Sequence, residues 1–187
     1  MRHLTIFTAA VALCLFTTPF DVLAAEEGKT EKVSVFGEGE LTVPAEFKRV
    51  PPKSRILEHE FAVKEGDQED APTARLTMMA AGGDVQANIS RWHGQFAGGD
   101  KDAQKAEAME VGQWKVHLVD ASGTYAERMG GGPFAGGKVV NREDYAMVGA
   151  ILVHPTGRKY FVKMIGPQKV VKPNRKAFVE LVKSIDE

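Results

Sequence analysis

The chain has 187 residues, and its 24 Lys and Arg nearly balance its 25 Asp and Glu, which gives a formal net charge of −1 at pH 7. This balance argues against a protein that binds nucleic acid through a large positive surface. The length is that of one ordinary domain, which can bury enough apolar surface to fold without disulfide bonds.

Residues 1–25 have the layout of a secretory signal peptide. Residues 1–3 are a short basic start, residues 4–16 are apolar and free of charge, and residues 22–25 (Val-Leu-Ala-Ala) offer small side chains to a signal peptidase. We therefore predict that this segment is removed on export. The mature chain is expected to be periplasmic or secreted and to have no transmembrane segment.

Two other interpretations of the N-terminal segment stay open. An uncleaved membrane anchor needs about 20 apolar residues, whereas Pro19 and Asp21 end the apolar run early. A lipid tether would form on Cys14, but Leu13 stands where lipoprotein signals favour a small residue. Signal cleavage would also remove Cys14, the one cysteine of the chain, and with it any thiol chemistry.

The segment after the predicted signal leads into one domain that begins with strands. Residues 26–32 are charged or small and are predicted to be a flexible lead-in to a single domain, residues 33–187. The glycines in residues 37–39 predict a short hairpin. Alternating apolar and polar side chains predict a half-buried strand over residues 55–63, and an acidic loop separates it from a strand over residues 74–80.

The periodicity of the sequence then changes from that of a strand to that of a helix. Residues 84–96 carry four apolar side chains at helical spacing, and Asp84 can cap the start of this helix. The polar, alanine-rich residues 100–110 are predicted to be a frayed second helix or an open loop. A strand is predicted over residues 114–125, followed by a glycine-rich loop at residues 130–137.

The last third of the chain supplies the most apolar strand. Residues 145–153 are apolar on both faces, which predicts a central strand covered on both sides, and Gly149 would let a helix approach it closely. Residues 159–165 are predicted to pair with it, and a helix follows Pro173. The apolar stripe of this helix comprises Phe178, Leu181, Val182 and Ile185. The predicted class is α+β, a mostly antiparallel sheet flanked by helices as an α/β/α sandwich.

Several segments together resemble the PsbP-like fold family, and within it uncharacterised exported bacterial proteins. These segments are residues 88–92, residues 120–125 (Asp-Ala-Ser-Gly-Thr-Tyr), Gly132-Pro133-Phe134, residues 145–151, and residues 160–163 leading into Gly166-Pro167. The resemblance implies an antiparallel sheet between helices and a subunit that serves binding or assembly. It implies no catalytic residue.

Two chemical signatures are present only in part. Residues 132–138 have the spacing of a phosphate-binding loop up to Lys138, but Val139 stands where that loop needs Ser or Thr. No nucleotide or other cofactor is therefore predicted. The histidines beyond the signal lack the tight spacing of metal ligands, although His117 and His154 lie on or beside strands that could pair, so no metal site is predicted either.

The sequence also lacks a recognisable catalytic set. It contains no Gly-x-Ser-x-Gly motif, and Ser122 near Asp120 is interpreted as part of a strand-end turn. Glu58 and Glu60 share one strand face and are interpreted as a solvated surface, and Arg175 of the last helix is expected to point outward.

We predict a non-enzymatic extracytoplasmic domain that binds a protein or envelope partner. The predicted partner surface comprises Tyr125, Arg128, Gly132, Pro133, Phe134 and Lys138. The alternative is a small-ligand-binding protein or hydrolase with a pocket between sheet and helix, built around His117, Tyr145 and Tyr160. A binding module predicts an exposed Phe134 and no enclosed polar pocket, whereas an enzyme predicts a deep cleft where several ionisable groups meet.

Overall fold

A computed structural model describes residues 30–66, 68–99, 102–129 and 137–186. The strands are β1 (Glu31–Val35), β2 (Gly39–Val43), β3 (Lys48–Val50), β4 (His59–Lys64), β5 (Thr73–Ala81), β6 (Phe96–Ala97), β7 (Lys105–Val111), β8 (Trp114–Met129), β9 (Lys138–Val153) and β10 (Lys159–Pro167). The helices are α1 (Val85–His93), α2 (Gln168–Val171) and α3 (Arg175–Lys183), and a 3₁₀ turn follows at Ser184–Asp186. None of the helices in these ranges is long and apolar enough to cross a membrane.

Eight of the strands form one antiparallel sheet in the order β3-β4-β5-β10-β9-β8-β6, with β7 paired to the outer side of β8. Strands β1 and β2 form a separate hairpin. The hairpins β4–β5, β8–β9 and β9–β10 connect neighbours along the chain, which is why the sheet is antiparallel. The predicted α+β class is confirmed. The predicted signal peptide lies outside the described residues, and β1 already begins at Glu31, within the stretch predicted as a lead-in.

The sheet is covered on both faces. On one face it packs against the β1–β2 hairpin, α2 and α3. The predicted stripe is buried there, with Phe178, Leu181 and Val182 on α3 and Ile185 on the 3₁₀ turn that follows it. On the other face it packs against α1 through Ile89 and Trp92. Asp84 caps α1, since its side chain accepts a hydrogen bond from the Ala87 amide at 2.9 Å.

Strand β9 lies in the middle of the sheet, as its apolar sequence predicted. Seven consecutive residues, 146–152, are buried. Within them Gly149 lies directly under the indole of Trp92, and a Cβ built at Gly149 would lie 2.6 Å from Trp92 Cζ3. The Trp92 ring also meets Phe161 edge-on at a centroid distance of 5.1 Å. A glycine at this position is therefore what allows α1 to pack on the sheet.

Three local predictions were wrong. Residues 105–111 form strand β7 instead of a helix or loop, because pairing with β8 and the contacts of Met109 and Val111 with the core outweigh an alanine-rich composition. Strand β4 begins at His59, four residues later than expected. Phe96 belongs to strand β6 and reaches the α1 cluster from there, and not from the helix.

Glu60 is the fourth correction, since it is buried and does not belong to a solvated surface. Its side chain is 1% exposed and accepts hydrogen bonds from Arg75 Nε at 2.5 Å, from Arg75 Nη2 at 3.0 Å and from the Lys53 amide at 2.8 Å. Burial alone would raise the pKa of Glu60, but the hydrogen bonds from Arg75 and Lys53 and their positive charges bring it below its ordinary value.

The contact between Gly149 and Trp92 predicts the effect of adding one methyl group. We expect Gly149→Ala to lower the free energy of unfolding by about 1–3 kcal/mol, because the new Cβ must displace the indole or lift α1. Gly82→Ala is the matched control, since a Cβ at Gly82 meets nothing within 4 Å. Urea denaturation measures both. Equal stability of the two variants would contradict this packing.

The buried charge of Glu60 predicts a dependence of stability on pH. Because its pKa is lowered in the folded state, the stabilisation that it contributes is present above the unfolded-state pKa and is lost as the pH falls through the folded-state pKa. We expect Glu60→Gln to cost roughly 1–3 kcal/mol at neutral pH and to flatten the loss of stability on acidification. Denaturation at several pH values tests this.

Glu40→Gln is the control for this experiment, because Glu40 is half-exposed and pairs with Lys32 only at the surface, at 3.1 Å. A surface pair of this kind is expected to contribute little. If Glu60→Gln and Glu40→Gln had the same pH profile, the buried ion pair would not have the role assigned to it.

Candidate functional site

The longest strands of the sheet, β8 and β9, extend beyond it as a two-stranded arm. Each has 16 residues, and they pair from Lys115 opposite Val153 to Met129 opposite Lys138. On the outer side of β9, pairing with β10 ends at Tyr145. We call residues 125–129 and 138–144 the arm.

A β-bulge marks the point where the arm leaves the sheet. Gly123 pairs with Tyr145 and Tyr125 pairs with Arg142, so β9 has one more residue than β8 between these pairs. The two β9 residues between these pairs are Glu143 and Asp144, and the φ of Asp144, 52°, is in the left-handed region. Bulges bend a strand and increase its local twist, so the arm points in a different direction from the rest of β9.

The base of the arm is held by stacked aromatic rings. Tyr125 lies between Phe96, at a centroid distance of 5.2 Å, and Tyr145, at 6.0 Å with an interplanar angle of 10°. Burial, followed by the charge of Glu127, raises the pKa of Tyr125. Tyr125 was predicted as a partner contact, but in this position it mainly fixes the arm to the α1 side of the sheet.

The end of the arm exposes apolar side chains beside basic ones. Met129 is 47% exposed and Val139 is 51% exposed, and Arg128 and Lys138 are exposed next to them. In the described part of the chain, Ile56 is the other exposed large hydrophobic residue. The predicted contacts Gly132, Pro133 and Phe134 lie outside the described residues.

One ion pair links the two strands of the arm. Arg142 Nε donates to Glu127 Oε2 at 2.9 Å, and this bond raises the pKa of Arg142. The pair connects neighbouring strands on one face of the arm, which limits how far the two strands can shift against each other.

The residues of the predicted alternative pocket do not come together. His117 and Tyr145 lie on the α1 face of the sheet, where His117 is opposite Ile151 and Tyr145 is opposite Gly123, at different ends of the β8–β9 ladder. Tyr160 lies on the opposite face, in the core under the β1–β2 hairpin. Strand alternation therefore separates Tyr160 from the other two.

The histidines of the described ranges do not form a cluster either. Within the described ranges no group of three or more His, Cys, Asp or Glu could hold a metal ion. His59 is half-buried and hydrogen-bonds Arg49 through Nδ1 at 3.2 Å, and burial and Arg49 lower its pKa. His154 is buried against Trp114 and hydrogen-bonds Thr156 through Nδ1 at 2.8 Å.

A cleft whose lining residues the sequence did not reveal lies between the sheet and the C-terminal helices. Its volume is about 490 Å³, and it is lined by Asp102, Ala103, Lys105, Asp120, Ala121, Ser122, Ala146, Met147, Val148, Val171, Lys172 and Arg175. The location matches the predicted alternative, a pocket between sheet and helix, but none of the residues predicted for that pocket lines it.

An ion pair between Asp120 and Arg175 forms one wall of the cleft. Arg175 Nε donates to Asp120 Oδ1 at 2.8 Å and Nη2 donates to Oδ2 at 2.7 Å. These hydrogen bonds raise the pKa of Arg175. Arg175 was expected to point outward, and the structure corrects this, because the side chain folds back onto the sheet.

The ionisable groups of the cleft are suited to binding. Ser122 lines the cleft, but no histidine does, and the Asp120 carboxylate is already occupied by Arg175. A nucleophile needs a base within hydrogen-bond reach, and no such pair lines the cleft among the residues that the structure describes. Charged side chains above an apolar floor can instead hold a polar ligand with an apolar part.

Comparisons with known proteins leave the family open. No protein-family model matches the chain, and no curated protein matches it. Among solved structures the chain is similar to LpqN, which is described as involved in cell envelope biogenesis of Mycobacterium tuberculosis. The identity is 15%, the match covers 86% of this chain and 89% of LpqN, and the TM-score is 0.40. A similarity with this TM-score does not assign the chain to a family or a function. The resemblance to the PsbP-like family stays a prediction.

Proposed function

We propose that this chain is an exported, non-enzymatic domain that binds a protein partner of the cell envelope through the arm. Export is supported by the composition of residues 1–25. The observation that carries the proposal is the arm itself, which continues the two longest strands beyond the packed core and exposes Met129 and Val139 near its end.

The backbone of the arm favours a protein as the partner. Residues 138–144 pair with β8 on one side only, and in the described parts of the chain no strand pairs with their other side. An open edge presents alternating N–H and C=O groups that an extended peptide can satisfy by adding a strand. The exposed side chains of Met129 and Val139 would give such a peptide apolar contacts.

The bulge gives the arm a fixed direction. The stacked rings at Tyr125 hold its base, and the Glu127–Arg142 pair holds its two strands together. An arm that is ordered before binding loses less conformational entropy when it binds. The alternative, a small-ligand-binding protein, draws its support from the cleft and not from the arm.

Site-specific photo-crosslinking in cells of the source organism tests the proposal. A photoreactive amino acid at position 139 is expected to crosslink to a defined protein, which mass spectrometry identifies. The same probe at position 56 is the matched control, because Ile56 is an equally apolar and even more exposed residue, at 68%, away from the arm.

A substitution in the arm distinguishes specific binding through the arm from non-specific crosslinking at exposed apolar residues. Met129→Asp is expected to reduce the adduct at position 139 several-fold and to leave thermal stability nearly unchanged, because Met129 is exposed. Equal adducts at positions 139 and 56, or no adduct at position 139, would contradict the proposal.

A further inference from the structure

The cleft has the size and composition of a ligand site. Its volume of about 490 Å³ falls within the range of roughly 300–1,000 Å³ that is usual for small-molecule sites. Its apolar part includes Ala146 and Val148 on the sheet and Val171 on α2, all of them buried. A short apolar group of a ligand could therefore be removed from water by packing against these side chains.

The charges that line the cleft have a positive excess. The cleft is lined by the cations Lys105, Lys172 and Arg175 and by the carboxylates Asp102 and Asp120, so its net charge is +1. Such a balance complements a ligand with one negative charge better than one with two, because a second negative charge would meet the two carboxylates.

Arg175 is held in one orientation by Asp120. Two of its nitrogens, Nε and Nη2, donate to the carboxylate, and Nη2 also approaches the exposed Glu107 at 3.4 Å. Nη1 makes no hydrogen bond to any residue that the structure describes. A guanidinium that is fixed in this way can donate from its remaining nitrogen without losing further side-chain entropy.

The two lysines add charge that no residue of the described ranges already pairs. Lys105 on β7 lies directly opposite Asp120 on β8, so its side chain leaves the sheet on the cleft side. Lys172 follows α2 and is exposed. Neither forms an ion pair within 4.0 Å with another residue of the described ranges. Their charges are available to an anion.

We propose that this cleft binds a small organic monoanion, a carboxylate carried on a short apolar body. The carboxylate would lie between Lys172, Lys105 and Arg175, and the apolar body would lie on Ala146, Val148 and Val171. This inference deepens the small-ligand alternative, and its failure would leave the proposed function of the arm untouched.

Methyl NMR of the full chain with hexanoate as the probe tests the proposal. At constant ionic strength, hexanoate is expected to give saturable shifts of the methyl groups of Ala146, Val148 and Val171. Hexanol has the same apolar body without a charge and is expected to bind more weakly. Hexyl phosphate, which is dianionic at about pH 8, is also expected to bind more weakly.

Charge-removing variants locate the binding. Lys105→Gln combined with Lys172→Gln is expected to raise the Kd for hexanoate roughly five- to thirtyfold. Lys169→Gln is the control, because it removes one positive charge from α2 but its side chain pairs with Glu65, at 2.9 Å, outside the cleft. All three positions are solvent-accessible, so the fold is expected to be retained.

Four outcomes would overturn the proposal. These are no saturable shift with hexanoate, equal binding of hexanol, tighter binding of hexyl phosphate, and a loss of affinity in Lys169→Gln as large as in the double variant. The first two would exclude an anion site, the third would exclude a monoanion, and the fourth would show that only the overall charge matters.

Discussion

The burial of strand β9 on both faces is the constraint on which the rest of the structure depends. Residues 146–152 have no side that can face water, so the sheet must be covered above and below. The β1–β2 hairpin with α3 supplies one cover, and α1 supplies the other. The second cover fits only because Gly149 lets the Trp92 ring lie against the strand.

The same strand also produces both candidate sites. Towards its N-terminal end β9 runs beyond β10, passes the bulge at Asp144 and becomes half of the arm. Nearer its middle, Ala146 and Val148 face the C-terminal helices and form the floor of the cleft. The arm and the cleft therefore adjoin on a single strand, and each could bind its ligand without unfolding the core.

Much of the fold could be predicted from the sequence because its signals are local. The apolar pattern of residues 145–153, the helical spacing of Ile89 and Trp92 and the stripe of α3 each lie within one element. Residues 105–111 were mispredicted because they form a strand through pairing with β8, and that pairing is not visible in their own composition.

The candidate site was less predictable because its interactions are distant in sequence. Asp120 and Arg175 are separated by 55 positions, and nothing in either neighbourhood indicates the other. Glu60 looked like a surface charge for the same reason, because Arg75 reaches it from the next strand. The residues predicted for the pocket do not meet because side chains alternate between the two faces of the sheet, and Tyr160 lies on the face opposite to His117 and Tyr145.

Amide hydrogen exchange measured along β9 tests the central claim most directly. If this strand is a rigid core that continues into an exposed arm, the amides of residues 146–152 should exchange only on global unfolding, and those of residues 138–144 many-fold faster. Uniform protection from residue 138 to residue 153, or fast exchange at residues 146–152, would contradict the account.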